Sequence, residues 1–110
     1  MAYTLDMVFI ETSLFTKDIQ RLLPDDVYRQ FQMALMFRPD VGAIIQGGGG
    51  LRKVRWSLPG EGKRGGLRII YYWERPDTVY LLLAYRKSEQ EDLTPSQLAV
   101  LRRLVKEWLE

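Results

Sequence analysis

The hydrophobic pattern of this chain changes period near its midpoint, and the change restricts the folds that it can adopt. In the first part, over residues 12–38, apolar residues recur at helical spacing in two segments that Pro24 separates. In the second part, three short segments have the alternating or apolar character of strands, at residues 51–58, 67–73 and 79–85. The short connections between them favour an antiparallel meander.

The ends of the chain complete this pattern. A short apolar segment at residues 7–11 predicts a first strand, and Thr12 or Ser13 can cap the first helix. Asp25 is a candidate cap for the second helix, and the motif at residues 94–97 predicts the start of a last helix. We therefore expect an α+β fold in the order β-α-α-β-β-β-α, with the meander packed against helices in a single domain of 110 residues.

Composition excludes several kinds of chemistry. The chain contains neither cysteine nor histidine, which excludes thiolate nucleophiles, cysteine-ligated zinc and imidazole acid–base catalysis. Its carboxylates do not recur at metal-ligand spacing, so we predict no metal centre and no cofactor. The sequence has no apolar run of the roughly 18 residues needed to span a membrane and no secretory signal pattern, so we expect a cytoplasmic protein.

Positive charge is concentrated in one segment of the chain. Residues 50–73 carry six basic residues against the single acid Glu61, a formal charge of +5, whereas the whole chain has a net charge of +2. The segment is also rich in glycine, which allows the backbone to approach a bulky ligand. Such a concentration on a small domain is typical of proteins that bind phosphate groups of nucleic acids. The basic residues are Arg52, Lys53, Arg55, Lys63, Arg64 and Arg68.

Lys53 and Arg55 lie on the first strand of the meander. They alternate with Val54 and Trp56, so both cations point away from the predicted core face. Two cations at this spacing can bind one phosphate or two adjacent ones. The alternative is that they only solvate the exposed side of the sheet.

Arg68 lies in an otherwise apolar and aromatic strand. An arginine in such a strand is unfavourable unless its head reaches solvent, a carboxylate or a ligand. A structural ion pair with Glu74 or Glu89 is one explanation. Phosphate binding is the explanation that we favour.

Two further segments contribute candidates. Lys63 and Arg64 lie in a glycine-rich loop that is either a solvated turn or a contact for a nucleic-acid backbone. The loop does not match an NTPase phosphate loop, because that motif requires Ser or Thr at the position of Arg64. Arg86 and Lys87 follow the last strand of the meander. Among the nearby aromatic residues most are assigned to packing, but an exposed ring could stack on an unpaired base. Tyr72 and Tyr85 are the candidates for this contact.

Three motifs together resemble a known family. Residues 49–55, 62–72 and 85–94 are similar to the HigB-like branch of the RelE toxin superfamily of type II toxin–antitoxin systems. The resemblance implies a RelE-like fold and a ribosome-dependent endoribonuclease, or mRNA interferase, that cuts mRNA in the decoding site. It also implies a cognate antitoxin, often with a helix-turn-helix DNA-binding domain, that neutralises the toxin and represses the shared operon.

The resemblance also assigns site residues. RelE has a tyrosine close to the position of Leu93, so the proton transfer assigned to that tyrosine needs another group in this chain, such as Tyr85 or Tyr72. The family's cations correspond to Lys53 and Arg55 on the first meander strand, to Arg68 before the Ile-Tyr stretch, and to Arg86 or Lys87 after the last strand.

These side chains suggest a metal-independent mechanism. The 2′-hydroxyl of RNA would attack the adjacent phosphorus, which yields a 2′,3′-cyclic phosphate and a 5′-hydroxyl. Arg55 and Arg68 would bind the phosphate, Lys53, surrounded by like charges, would act as base, and Lys87 or Arg86 would assist the leaving group. The alternative is a non-catalytic RNA-binding module that uses the same basic groove. The remaining predicted RNA contacts are Arg52, Lys63, Arg64, Tyr72, Tyr85 and Arg86.

Overall fold

The computed structural model describes residues 6–57, 60 and 66–109, which form three helices and five strands. This α+β architecture confirms the predicted fold class. The structure adds one element that was not predicted, the two-residue strand β2. None of the helices in these ranges is both long and apolar enough to cross a membrane. The elements are β1 (Val8–Glu11), α1 (Ser13–Leu22), α2 (Asp25–Phe37), β2 (Ala43–Ile44), β3 (Arg52–Trp56), β4 (Leu67–Glu74), β5 (Thr78–Arg86) and α3 (Pro95–Leu109).

The five strands form one sheet in the order β1-β5-β4-β3-β2. Strands β3, β4 and β5 pair antiparallel as the predicted meander, and β2 pairs antiparallel with β3. Strand β1 pairs parallel with β5, and α1 and α2 carry the chain from β1 at one edge of the sheet to β2 at the other. The register between β4 and β5 shifts between Ile70 and Tyr71.

Helices cover both faces of the sheet. Side chains of α1 and α2 pack on one face, and α3 packs on the other, which we call the α3 face. Each large apolar side chain that is fully buried in these layers contributes roughly 1.5–3 kcal/mol to folding. The first layer includes Phe15, Phe31, Leu35, Ile69 and Tyr71, and the second includes Ile70, Leu82, Leu101 and Val105.

The helix starts follow local signals in the sequence. The Thr12 hydroxyl accepts the main-chain N–H three residues later at 2.9 Å, which confirms it as the cap of α1. At α3, Thr94 and Gln97 satisfy each other's main-chain N–H groups at 3.1 Å and 3.0 Å, which confirms the predicted capping box. The prediction for α2 was wrong, because Pro24 occupies the cap position and Asp25 is the first helical residue. The Asp25 carboxylate there is still favourable near the helix N-terminus.

The segment that leads into β2 is fixed by Tyr71 on β4. The buried Tyr71 hydroxyl donates to the Pro39 carbonyl and accepts from the Gly42 N–H, each at 2.8 Å. A Cβ atom at Gly42 would lie 2.7 Å from the Tyr71 ring, so only glycine fits. The Arg52 guanidinium donates to the carbonyls of Gly42 and Asp40 at 2.8 Å and 3.1 Å. Arg52 therefore stabilises this segment, on the face opposite to α3.

Candidate functional site

A row of polar side chains crosses the meander on the α3 face. Arg55 on β3 lies opposite Arg68 on β4, and Arg68 lies opposite Tyr85 on β5. Residues opposite one another in a sheet project from the same face. Lys53, two residues before Arg55, projects from that face as well. The structure thus brings together Lys53, Arg55 and Arg68, which we call the cationic cluster.

Arg68 is a buried cation, with only 4% of its surface exposed. Its guanidinium donates to the Gly66 carbonyl at 3.3 Å, a long hydrogen bond to a neutral acceptor. The ion pair with Glu74 or Glu89 does not form, because Glu74 accepts from a β5 tyrosine at 2.9 Å and Glu89 pairs with an α1 arginine at 3.3 Å. Within the described residues, Arg68 has no carboxylate partner.

A cavity of about 320 Å³ opens beside this arginine, lined by Arg55, Trp56, Ser57, Gly66 and Arg68. Arg55 is exposed at this cavity and, in the part of the chain that the structure describes, forms no ion pair. Two guanidinium groups at one cavity repel each other unless an anion lies between them. Each presents a planar fork of donors that matches the oxygens of a phosphate. The cavity is therefore suited to a phosphate group.

The carboxylate of Asp92, three residues before α3, lies next to the cationic cluster. The Lys53 ammonium is 3.3 Å from the Asp92 carboxylate. A hydrogen bond from the Leu93 N–H at 2.8 Å, together with Lys53, lowers the pKa of Asp92. Asp92 is therefore ionised at neutral pH. Lys53 donates a hydrogen bond to this carboxylate, a contact that the prediction, which considered only like charges around Lys53, did not include.

Tyr85 completes the row but cannot stack on a base. Its side chain is buried, with 5% exposure, so the ring faces protein rather than solvent. Its hydroxyl is also buried and, among the described residues, has no hydrogen-bond partner. Burial raises the pKa of Tyr85, Asp92 raises it further, and Arg68 opposes the rise. The phenol is thus neutral, and its hydroxyl is a buried polar group on the strand next to Arg68.

The main chain of Lys87 contacts a residue that lines this cavity. Its main-chain N–H donates to the Gly66 carbonyl at 3.3 Å, the same carbonyl that accepts from Arg68. Among the described residues its side chain forms no ion pair. The Lys87 main chain is therefore bonded to the same residue as Arg68.

The other predicted RNA contacts lie elsewhere. Arg52 binds main-chain carbonyls on the opposite face, and Arg86 lies opposite Leu67, which packs in the α1 and α2 layer. Tyr72 is on the α3 face, but it lines a second groove rather than the cavity. Lys63 and Arg64 lie outside the described residues.

A comparison with known protein families places this geometry in context. A family sequence model described as "RelE toxin of RelE / RelB toxin-antitoxin system" matches residues 40–110. The chain belongs to the RelE toxin family. The match includes β2 to α3, and therefore the whole cationic cluster, Tyr85, Lys87 and Asp92. As a RelE family member, the protein is the toxin of a toxin–antitoxin system and has an antitoxin partner; toxins of this family are generally mRNA endoribonucleases.

Proposed function

We propose that this RelE family toxin is a ribosome-dependent mRNA endoribonuclease of the HigB-like branch. The observation that carries the proposal is Arg68, a buried cation without a carboxylate partner in the described chain, next to Arg55 at an open cavity. Burying a charge in this way is unfavourable unless an anionic ligand compensates for it. A phosphodiester is an anion of suitable size, and its charge increases as it reacts.

Arg55 and Arg68 bind the non-bridging oxygens of the scissile phosphate. During attack by the 2′-hydroxyl, negative charge accumulates on those oxygens in the phosphorane. Fixed guanidinium groups therefore stabilise the transition state more than the ground state, which is the condition for catalysis. The site needs no metal for this step because the nucleophile belongs to the RNA.

The proton movements can be assigned to the remaining groups. The bond from the 2′-oxygen to phosphorus forms while the bond from phosphorus to the 5′-oxygen breaks. Asp92 accepts the 2′-hydroxyl proton, and Lys53, held at 3.3 Å from Asp92, stabilises the phosphorane with its positive charge. Lys87 donates a proton to the departing 5′-oxygen. The products are a 2′,3′-cyclic phosphate and a 5′-hydroxyl.

The ribosome supplies what these residues lack. The lowered pKa of Asp92 makes it a weak base, and lysine is a weak acid near neutral pH. Catalysis must then depend strongly on alignment of the 2′-hydroxyl with the leaving oxygen, which an mRNA held in the decoding site provides. Because the activity depends on ribosomes, we expect it in the cytoplasm. The cognate antitoxin, with a helix-turn-helix DNA-binding domain, would neutralise it there.

The test is cleavage of an mRNA in a translation initiation complex. Primer extension should locate a cut with ribosomes and none without them. The double variant Lys53→Ala/Arg55→Ala should lower the cleavage rate at least 100-fold. The matched control is Lys17→Ala/Arg29→Ala, which removes two exposed cations from α1 and α2 and should cleave as the unmodified protein does. A protein that binds RNA but produces no cut under any of these conditions would refute the nuclease and favour the RNA-binding module.

A further inference from the structure

Ser57 is a polar residue of the cavity to which the proposed mechanism assigns no role. It follows the last residue of β3, is exposed, and lines the cavity together with Arg55 and Arg68. Within the part of the chain that the structure describes, its hydroxyl forms no hydrogen bond. A serine hydroxyl can donate one hydrogen bond and accept two, so this one is available to a substrate in the cavity.

Gly66 keeps the space beside Ser57 open. Strands β3 and β4 pair as far as Trp56 and Leu67, and the next residues along the two chains are Ser57 and Gly66. A Cβ atom at Gly66 would lie 2.9 Å from the Trp56 carbonyl and 3.6 Å from the Arg68 guanidinium. The two chains are therefore still adjacent at this point, and only glycine fits. Because Gly66 has no side chain, the position across from Ser57 remains accessible to a ligand.

The polar residues of β3 follow one another in a fixed order. Lys53, Arg55 and Ser57 are each two residues apart, which is roughly 6.6 Å along an extended chain. Asp92 lies at the Lys53 end of this order, 3.3 Å from the ammonium group. Arg55, with Arg68 opposite it, is therefore between the proposed base and Ser57.

This order indicates the position of the leaving oxygen. In a displacement at phosphorus, the attacking and leaving oxygens lie roughly in line, on opposite sides of the phosphorus atom. With the 2′-oxygen at Asp92 and the phosphate at the two arginines, the departing 5′-oxygen lies on the side of Ser57. The main chain of Lys87, the proposed proton donor, is bonded to Gly66 on that same side.

We propose that Ser57 is a catalytic residue whose hydroxyl donates a hydrogen bond to the departing 5′-oxygen. This inference rests on the proposed ribonuclease function. The 5′-oxygen gains negative charge as its bond to phosphorus breaks, so the hydrogen bond is stronger in the transition state than in the bound substrate. Ser57 keeps its own proton, because Asp92 takes the proton of the 2′-hydroxyl and Lys87 supplies the proton that the 5′-oxygen finally carries.

The test changes the leaving atom. An mRNA that carries sulfur in place of the bridging 5′-oxygen at the mapped cut is placed in the ribosome complex. Thiols are more acidic than alcohols, so a departing thiolate does not need a hydrogen bond. In single-turnover reactions, Ser57→Ala should cleave the ordinary mRNA at least tenfold more slowly than the unmodified protein does. It should cleave the sulfur mRNA at the same rate as the unmodified protein, which also shows that the variant is folded.

Two further variants serve as controls. Ser57→Thr keeps a hydroxyl at the cavity and should retain most of the rate on the ordinary mRNA. Ser96→Ala removes an exposed serine of α3 that does not line the cavity. It should cleave both substrates as the unmodified protein does.

Two results would overturn the inference. The first is cleavage of the ordinary mRNA by Ser57→Ala at the unmodified rate. The second is an equal loss of rate on both substrates, which would show that Ser57 positions the RNA or stabilises the fold. Both results leave the proposed nuclease intact, because the unmodified protein still cuts. Absence of cutting of both substrates by the unmodified protein would instead refute the proposed function.

Discussion

Replacement of Arg68 by methionine should separate stability from activity. Methionine is unbranched and flexible, so it can fill the space of the buried arginine side chain without strain. The variant removes a charge that is 4% exposed and whose hydrogen bond, to the Gly66 carbonyl, is 3.3 Å long. Losing that bond costs about 1 kcal/mol, while removing a buried charge commonly gains 1–4 kcal/mol. We therefore expect the free energy of unfolding to be unchanged or up to about 3 kcal/mol higher.

The same substitution should nearly abolish cleavage. Removal of one preorganised donor to a developing oxyanion typically lowers the rate about 100- to 1000-fold, which corresponds to about 3–4 kcal/mol of transition-state stabilisation. Stability is measured by urea unfolding, with an unchanged denaturant slope as the check that the unfolding transition is comparable. Activity is measured by single-turnover cleavage of ribosome-bound mRNA. Arg68→Lys keeps the charge but loses the fork of donors. Its cleavage rate should lie between those of the unmodified protein and Arg68→Met.

The opposite pattern would refute the argument. If Arg68→Met lowered the free energy of unfolding by 2 kcal/mol or more and kept most of the cleavage rate, Arg68 would be a structural residue. The cavity beside it would then not be the catalytic site.

Three further predictions concern single side chains. Tyr71→Phe leaves the Gly42 N–H and the Pro39 carbonyl without their partner, so urea unfolding should show a loss of about 1–3 kcal/mol. Tyr85→Phe removes a buried hydroxyl that has no hydrogen-bond partner among the described residues, so it should leave stability unchanged or raise it by about 1 kcal/mol in the same assay; a loss above that amount would contradict the absence of a partner. The folded-state pKa of Asp92 lies below its unfolded value, so its stabilisation is present above about pH 4 and disappears as pH falls through the folded pKa. Urea midpoints of the unmodified protein and Asp92→Asn should therefore differ near pH 7 and converge in acid, and a constant difference would count against the contacts of Asp92 with the Leu93 N–H and Lys53.

Local signals in the sequence predicted most of the fold. The period change located the meander, and the Thr94 and Gln97 capping box located the start of α3, because each signal is contained within a few residues. The two-residue strand β2 was not predicted, since a strand that short has no period of its own. Its position depends on Tyr71, which binds Gly42 across 29 residues of sequence.

The residues of the candidate site also differ in whether a local sequence pattern indicates them. Arg55 and Arg68 were identified because each is a charge in an alternating or apolar strand, and strand pairing then places them opposite each other. Asp92 was missed because its contact with Lys53 spans 39 residues of sequence, and no local pattern indicates such a contact. Tyr85 was assigned to base stacking from its type alone, and only the packing of α3 and the sheet shows that its ring is buried.

The most direct test of the account removes the nucleophile from the substrate. An mRNA with a single 2′-deoxy nucleotide immediately before the mapped cut is placed in the initiation complex and treated with the unmodified protein. The account predicts that cleavage at that bond disappears, while the all-ribose mRNA yields a 2′,3′-cyclic phosphate and a 5′-hydroxyl at the same position. Cleavage of the deoxy substrate at an undiminished rate would contradict the 2′-hydroxyl mechanism and the catalytic function assigned to the cationic cluster.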